Sequence, residues 1–477
     1  MSHSRLTPLA LAIGLLCSAA QAQTAAPSSA SGASATDAAL QALRQQLDAL
    51  KQQYDARIRA LENQLQQAQA QGAVASRPDA SADADAALPA TQTTSSGLGQ
   101  ESNRFNPAVS LILSGGYAGL SKDPETWRLK GFVPGGEELG PGKRGFSLSE
   151  TELRLSANID HLFYGAATLA VSPEDTVSVE EAFVQTMALP AGLTLKAGRF
   201  FAGLGYLNEQ HAHTWDFVDA PLAYQAFVGR QLRQEGLQAR WVLPLERFVE
   251  LGAEVGNGAA FPGNERNRNG AGSLLLSAHT GGDVGLSHSW RAGVSWLRTR
   301  AENREWDSTD PLDEANTLKN SFTGRSSLWV VDGVWKWAPN GNAKSTNLKL
   351  QGEYFRRQEK GTVAYDTANL NQADAYRSGQ SGWYLQGAYQ FMPAWRVGLR
   401  HDQLDSGRAD FGLNTEWLGQ ERSKPRRDSV MLDWSPSEFS RWRLQLSNDR
   451  SRVEGSGDRQ IFLQYQMSLG AHGAHGF

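Results

Sequence analysis

Two pairs of histidines have the spacing of metal ligands. His211 and His213 are separated by one residue, and His472 and His475 by two. Residues i and i+2 of an extended chain lie on one side, and neutral imidazoles are good zinc ligands. The histidines therefore indicate either a zinc site or only the polar lining of an internal surface. The acidic residues that could supply a third ligand near the first pair are Glu209, Asp216 and Asp219.

A second set of side chains consists of charged residues on the polar face of alternating segments. If this face lines a water-filled passage, arginines opposite acids would create a transverse electric field that orients dipolar solutes. The alternative is that each charge pairs with a neighbour and stiffens the structure. The candidate lining residues are Arg154, Lys196, Arg240, Glu250, Glu254, Arg396, Arg400, Arg441 and Arg443.

Alternating segments are the elements that would position these side chains. Near the C-terminus, apolar residues occupy every second position from Ile461 to Leu469, with amides and a serine between them, and the chain ends on Phe477. A period of two with one oily face and one polar face is typical of a strand between lipid and water. An edge strand of a soluble sandwich is the alternative for this segment alone. Similar segments are Glu150–Asp160, Ser326–Trp337, Leu348–Tyr354, Gln380–Phe391 and Arg441–Asn448.

The connections between these segments alternate between short and long. Short turns at one end and long loops at the other are typical of an outer-membrane barrel, and tryptophans near strand ends would form its interfacial girdles. Because backbone amides in hydrocarbon must all be paired, such a sheet has to close. We predict an all-β fold, a transmembrane antiparallel barrel of about 16 strands over residues 103–477. The predicted long loops are Leu120–Ser147, Ala202–Gln231, Gly256–Gly270, Ala301–Arg325, Gln358–Gly379 and Leu404–Arg426.

The residues before the barrel divide into four segments. Residues 1–22 have the charged start, apolar core and small-residue cleavage site of a secretory signal, which contains the sole cysteine, Cys17. Residues 23–38 and 71–102 are predicted linkers. Between them, Leu40, Leu43, Leu47 and Leu50 begin a heptad pattern over residues 39–70, which predicts a short coiled-coil helix. We expect this periplasmic helix and the barrel to form a homotrimer.

Several function classes are disfavoured by the composition and motifs. A formal net charge of −4 gives no basic excess for nucleic acid. Neither a nucleophile elbow nor a Ser-His-Asp grouping is visible, so no enzyme is expected. No cofactor is expected. The one bound ion that the sequence makes a candidate is zinc.

One segment resembles a known family. Leu193–Phe201, followed by Asp216–Leu222 in a long loop, is similar to the strand and constriction segment of the phosphate-selective porin O/P group. Segments such as Gly145–Glu150 and Gly470–His475 also resemble proteobacterial outer-membrane proteins, some of which are labelled zinc-regulated or receptor-like. The resemblance implies a porin-type barrel, but the dense lysine and arginine ladder that phosphate selectivity implies is not found.

These observations lead to one expected function and two alternatives. We expect an outer-membrane channel of a Gram-negative cell for small polar or ionic solutes. Nine aromatic or histidine residues in and beside the loop 202–231 predict that it folds inward and narrows the pore. The alternatives are a receptor-like barrel for zinc or metal uptake, and a structural protein that tethers the envelope through the N-terminal helix.

Overall fold

The computed structural model describes residues 107–470, apart from 136–138, 150, 173–175, 265, 311–312, 314–315, 454 and 456. The predicted signal, linkers and coiled-coil helix lie outside the described residues, as do His472, His475 and Phe477. The strands are β1 Ala108–Leu120, β2 Gly145–Leu148, β3 Thr151–Asn158, β4 Phe163–Val171, β5 Val177–Thr186, β6 Leu193–Phe201, β7 Arg233–Val242, β8 Phe248–Gly256, β9 Ser273–Val284, β10 His288–Thr309, β11 Thr317–Trp337, β12 Asn347–Tyr365, β13 Gln372–Met392, β14 Trp395–Asp405, β15 Arg426–Ser437, β16 Ser440–Asp449 and β17 Asp458–Gly470.

The strands form one antiparallel sheet that closes on itself. From β3 to β17 each strand pairs with the next along the chain, and β1 pairs with both β17 and β3. The first and last strands are in register from Ser110 opposite Gly470 to Leu120 opposite Gln460. Because β2 and β3 both pair with β1, one after the other, they occupy a single position in the wall. The described residues therefore form a closed barrel with 16 strand positions, as predicted.

The two faces of the wall differ as the alternation predicts. On β16, Trp442, Leu444 and Leu446 are 40%, 37% and 49% exposed, whereas Arg443 and Gln445 between them are buried. The outside of the closed sheet is therefore apolar and the inside polar. Side chains on a strand alternate between faces, so each inward charge has an outward apolar neighbour.

Outward-facing aromatic side chains form rows across neighbouring strands. Trp395, Trp434, Trp442 and Tyr465 are directly opposite one another on β14 to β17, and the Trp395 and Trp434 rings stack 6.0 Å apart. A second row, farther along the strands, contains the opposed pair Trp296 and Trp329. Such rows have the arrangement of aromatic girdles at the edges of an apolar band.

The connections are sorted between the two ends of the barrel. One end, the short-turn end, carries 159–162, 187–192, 243–247, 285–287, 338–346, 393–394 and 438–439. The opposite end, the long-loop end, carries 121–144, 172–176, 202–232, 257–272, 310–316, 366–371, 406–425 and 450–457. The sorting predicted from the sequence holds for the longest connections, which all lie at the long-loop end, but 172–176, 310–316 and 366–371 at that end are shorter than 338–346 at the other.

Two predicted long loops, Ala301–Arg325 and Gln358–Gly379, are wrong. β10 continues to Thr309 and β11 begins at Thr317, while β12 and β13 are joined by 366–371. The strands remain paired there, but outward positions such as Arg298 and Arg300 are polar. The outer face is polar beyond its apolar band, so the hydrophobic alternation disappears there while the backbone pairing continues.

Within residues 107–470, as far as the structure describes them, the helices are short and lie in the connections. The α-helices are α1 Leu222–Val228 and α2 Thr415–Leu418, and the 3-10 turns are Pro190–Gly192, Ala212–Thr214, Pro339–Gly341 and Gly412–Asn414. Among the described residues, no helix has both the length and the apolar character needed to cross a membrane.

Candidate functional site

The connection 202–232 between β6 and β7, the lumen loop, lies inside the barrel, as its aromatic content predicted. All seven residues of α1 are buried, and Trp215 and Phe217 are 2% and 1% exposed. The ring of Phe227 stacks on the inward-facing ring of Phe355, with centroids 5.8 Å apart. The loop therefore narrows the interior with packed side chains and not only with backbone.

Polar side chains of the barrel wall accept hydrogen bonds from backbone amides of the lumen loop. Glu254 accepts a hydrogen bond from the backbone N–H of Gly203 at 2.7 Å, and Asp402 accepts one from the backbone N–H of Leu222 at 2.8 Å. Gln445 accepts the amide of Val218, also at 2.8 Å. A loop inside a barrel needs such partners because buried amides are costly when unpaired. The wall thus positions the loop from several strands.

Asp219 of the lumen loop forms buried ion pairs with the wall. Its carboxylate lies 2.6 Å from Arg400 and 2.5 Å from Arg427. Burial raises the pKa of Asp219, but the two guanidinium groups outweigh burial and lower the pKa to about 2. The loop carboxylate is therefore ionised at any physiological pH, and it holds the loop against β14 and β15.

Asp216 forms a second anchor on the same side of the barrel. It lies 2.7 Å from Lys349 and 3.2 Å from Arg396. The second guanidinium nitrogen of Arg396 lies 2.6 Å from Asp433, which also pairs with Arg443. Positive and negative charges alternate in this network, so each of its carboxylates contacts two cationic side chains. We call the contacts of Asp216 and Asp219 with the wall the arginine anchor.

The predicted arginines of β14 and β16 thus contact the lumen loop rather than stand free in a passage. Arg443 donates to the carbonyl of Trp215 at 2.8 Å, and Arg441 donates to the carbonyl of His213 at 2.9 Å. Arg400 and Arg396 bind Asp219 and Asp216. These pairings favour the alternative in which the charges stiffen the barrel, over a transverse field.

The other predicted lining residues also face inward and have local partners. Arg240 pairs with Glu209 of the lumen loop, and Glu250 lies 3.3 Å from His279. The ammonium group of Lys196 lies 4.3 Å from the centre of the Phe183 ring. Glu254 accepts hydrogen bonds from Gln234 and Gln238 besides the Gly203 amide, and Arg154 contacts Glu181 at 3.4 Å.

His211 and His213 meet three glutamates of the wall on the opposite side of the lumen loop. Glu152 of β3 lies 2.8 Å from His213 Nδ1 through one oxygen and 3.1 Å from His211 Nδ1 through the other. Glu181 Oε2 lies 3.1 Å from His211 Nε2, and Glu180 Oε2 lies 3.4 Å from His211 Nδ1. We call these five side chains the histidine cluster.

A β-bulge brings two consecutive glutamates to the cluster. Thr168 of β4 is opposite Glu181, whereas Leu169 is opposite Val179, so Glu180 has no partner in the register. Both Glu180 and Glu181 are buried, at 4% and 6% exposure. A bulge breaks the strict alternation of faces and re-aims a side chain. Strand parity alone would have placed one of these residues outside, which is why the sequence analysis did not find the pair.

The histidine cluster has a different electrostatic character from the arginine anchor. Burial lowers the pKa of His211, but the neighbouring carboxylates of Glu152, Glu180 and Glu181 raise it well above its usual value. Three carboxylates around two imidazoles give this side of the loop a strong affinity for positive charge. A proton or another cation can supply that charge.

The third ligands predicted for the first histidine pair are wrong. Glu209 pairs with Arg240, and Asp216 and Asp219 belong to the arginine anchor. Glu152, on the inward face of β3, takes the place expected for them. The prediction relied on acids near the histidines in sequence. A residue of a wall strand can lie closer to them in the folded barrel than a neighbour in the same loop. The predicted pair His472 and His475 lies outside the described residues.

The fold and lumen define a closed antiparallel barrel with 16 strand positions and an internal loop. No family model matches the chain. The chain is 32% identical over 404 residues to an uncharacterized protein of Aquifex aeolicus (strain VF5), covering 78% of this chain and 80% of that protein. The chain therefore belongs to the same family as that protein. The resemblance to the phosphate-selective porin O/P group stays a prediction.

Solved structures with some likeness are outer-membrane proteins. A loop L8 deletion mutant of OmpT, from Vibrio cholerae, has a TM-score of 0.49 at 10% identity, covering 76% of this chain and 99% of that one. An anion-selective porin from Comamonas acidovorans has a TM-score of 0.43 at 9% identity, with 76% and 99% covered. At these values no feature of the site is transferred from either protein.

Proposed function

We propose that the protein is an outer-membrane channel for diffusion of small polar or ionic solutes, narrowed by the lumen loop. The observation that carries the proposal is the closed sheet with an apolar outside, a polar inside and a loop folded into its interior. In this proposal the protein moves solutes passively and has no catalytic role. The predicted lining residues would border the passage left beside the loop.

The outer face supports a membrane location. Leu195, Leu251 and Val331 are 44%, 40% and 53% exposed on neighbouring parts of the wall, although they are apolar. A continuous apolar surface of this kind is a liability in water and is stabilised by lipid. Closure of the sheet pairs the backbone amides that hydrocarbon cannot satisfy. The sorting of loops is consistent with a periplasmic short-turn end.

The lumen loop sets the expected size of the solutes. The aromatic rings of α1 and its neighbours occupy space that an open barrel would leave to water. We therefore expect a small conductance and a preference for small solutes. Paired charges around the loop favour polar solutes without a strong preference for one sign of ion.

Planar-bilayer recording tests the proposal. The full mature chain should produce discrete current steps, and replacing Gly205–Arg230 by a short Gly/Ser linker should enlarge them several-fold. A replacement of Leu413–Arg422, in the loop 406–425 outside the lumen loop, is the matched control and should have a smaller effect. Absence of steps, or steps that loop replacement leaves unchanged, would contradict the proposal.

The homotrimer remains a proposal that rests largely on the predicted helix at residues 39–70. Light scattering of the full chain in detergent would measure its mass. Leu43→Asp combined with Leu50→Asp, both on the predicted apolar stripe, should weaken a trimer that depends on the helix. The receptor-like and tethering alternatives form no part of the present proposal.

A further inference from the structure

The histidine cluster has the composition of a metal centre, and it lies where the lumen loop contacts the barrel wall. Its candidate ligand atoms on Glu152, His211 and His213 all lie within 4.8 Å of one another. We propose that these three residues bind a divalent transition-metal ion of the zinc type, and that the bound ion ties the lumen loop to the barrel wall. The ion would join β3 to the segment around the 3-10 turn Ala212–Thr214.

The distances between the candidate ligand atoms suit one small ion. Zinc bound tetrahedrally by nitrogen and oxygen at about 2.0–2.1 Å separates its ligands by roughly 3.3 Å. His211 Nδ1 lies 3.1 Å from Glu152 Oε2, and His213 Nδ1 lies 2.8 Å from Glu152 Oε1. Movements of a few tenths of an ångström would open these contacts to the separation that a tetrahedral ion requires.

Two buried atoms of the cluster lack hydrogen bonds. His211 Nδ1 and Glu180 Oε2 are both inaccessible to solvent, and neither has a hydrogen-bonding partner. They lie 3.4 Å from each other. Both atoms are thus within ion-pair distance of each other but without a well-directed hydrogen bond, an arrangement that a bound cation would complete. Glu180 is accordingly the candidate fourth ligand, and water would take that position otherwise.

Glu181 orients the His211 ring for this role. Its Oε2 lies 3.1 Å from His211 Nε2, closer than the Arg154 guanidinium at 3.3 Å, and donation of Nε2–H to this carboxylate would leave Nδ1 for the metal. Metal-bound histidines commonly donate their other N–H to a carboxylate in this way. The T-shaped contact with Phe201, at 5.1 Å between centroids, further limits rotation of the ring.

The set of donors selects the class of ion. Two imidazole nitrogens with one or two carboxylates suit zinc and neighbouring divalent transition metals, whereas calcium and magnesium prefer oxygen ligands throughout. The histidine and glutamate side chains are 4% to 15% exposed, which shields the site from bulk water.

Calorimetry with zinc chloride tests the binding directly. The full mature chain, refolded in detergent, would carry His472→Gln and His475→Gln to remove the C-terminal pair. We expect one saturable site per barrel. His211→Gln with His213→Gln should weaken binding at least 100-fold, and Glu181→Gln about 10-fold to 100-fold through loss of ring orientation. His401→Gln is the matched control, since that histidine pairs with Asp428 outside the cluster.

A cobalt(II) spectrum provides a readout that does not depend on any variant folding. Cobalt in the unaltered site should give the intense visible bands of four-coordinate geometry, which zinc then abolishes. The absence of saturable zinc heat, a weak octahedral cobalt spectrum, or zinc binding that persists in the folded double histidine variant would overturn the proposal.

The effect of zinc on current rests on the proposed channel function, whereas the binding does not. If the protein conducts, zinc should change the step size or its fluctuations in the unaltered protein and leave them unchanged in the double histidine variant. Saturable binding without any conductance would contradict the channel and leave the metal site standing. Conductance without zinc binding would contradict the metal site alone.

Discussion

The two attachments of the lumen loop use opposite chemistry for the same mechanical task. The arginine anchor joins Asp216 and Asp219 to basic residues of β12, β14 and β15, and each of the two carboxylates has two cationic partners. The histidine cluster joins His211 and His213 to three glutamates, with Arg154 as the nearby guanidinium. The carboxylates of the first attachment already have their cationic partners, whereas in our proposal the second is strengthened by a bound cation. The comparison suggests that one side of the loop is fixed and the other is adjustable.

The largest effect is expected from breaking the fixed side. Asp219→Ala would leave Arg400 and Arg427 to share one buried carboxylate, that of Asp402, and removal of one partner of a buried pair costs about 3 kcal/mol. The free energy of unfolding in urea and the susceptibility of the loop to protease would both report the change.

The matched control for this variant is an exposed ion pair on the same barrel. Asp405→Asn breaks the contact with Arg422, whose side chain is 54% exposed, and should cost less than about 1 kcal/mol. Equal effects of the two variants would contradict the view that the arginine anchor fixes the loop.

Acid should weaken the arginine anchor only far below neutral pH. The pKa of Asp219 is lowered to about 2 in the folded protein, so its stabilising contribution is present above the ordinary carboxylate pKa of about 4. That contribution decreases as pH falls from about 4 and is lost below about 2. Unfolding measured at several pH values should therefore show an acid dependence that Asp219→Asn diminishes. No difference between the two proteins between pH 4 and 2 would argue against the anchor.

A smaller effect is expected at the packed centre of the loop. The hydroxyl of Tyr224 donates to Glu353 at 3.0 Å, and Glu353 also accepts from Tyr384 at 2.6 Å. Tyr224→Phe should therefore cost about 1–2 kcal/mol, because Glu353 keeps other donors. Tyr354→Phe, at an outward position that is 42% exposed, should change the free energy of unfolding by less than about 0.5 kcal/mol. A reversed order of the two effects would contradict the assignment of inward and outward faces.

The smallest effect on stability is expected on the adjustable side without metal. Glu180 Oε2 accepts no hydrogen bond, and His211 keeps Glu152 and Glu181 when Glu180 loses its charge, so Glu180→Gln should change the unfolding free energy of the metal-free protein by less than about 1 kcal/mol. The same variant should lose part of the stabilisation that zinc gives the unaltered protein. Denaturation with and without zinc would measure both quantities. A large loss of stability without metal would show that Glu180 already holds the lumen loop to the wall in the metal-free protein.

The strand alternation was sufficient to predict most of the wall. Segments such as Arg441–Asn448 lie within strands, the count of 16 positions is confirmed, and the aromatic loop folds inward. The extensions of β10 to β13 were missed because their outer faces are polar, so pairing leaves no hydrophobic signature there.

The sequence predicted which face of the wall each charged side chain occupies better than it predicted which residue that side chain pairs with. The nine predicted lining residues face inward, but which carboxylate each arginine meets depends on the path of the loop through the lumen. The bulge at Glu180 changes the face of one residue without an evident mark in the sequence. The histidine spacing left open a metal site or a polar lining, whereas the glutamates of β3 and β5 beside the histidines could be recognised only from the closed wall.

Labelling of single cysteines during current recording tests the central claim most directly. Lys196 faces the lumen, and its neighbour Leu195 faces outward with 44% exposure. The mature chain is predicted to contain no cysteine, since Cys17 lies in the signal, so each variant would carry one thiol. A water-soluble thiol reagent should reduce the current through Lys196→Cys and leave that through Leu195→Cys unchanged. Equal responses of the two variants, or no current through either, would contradict a water-filled passage inside this barrel.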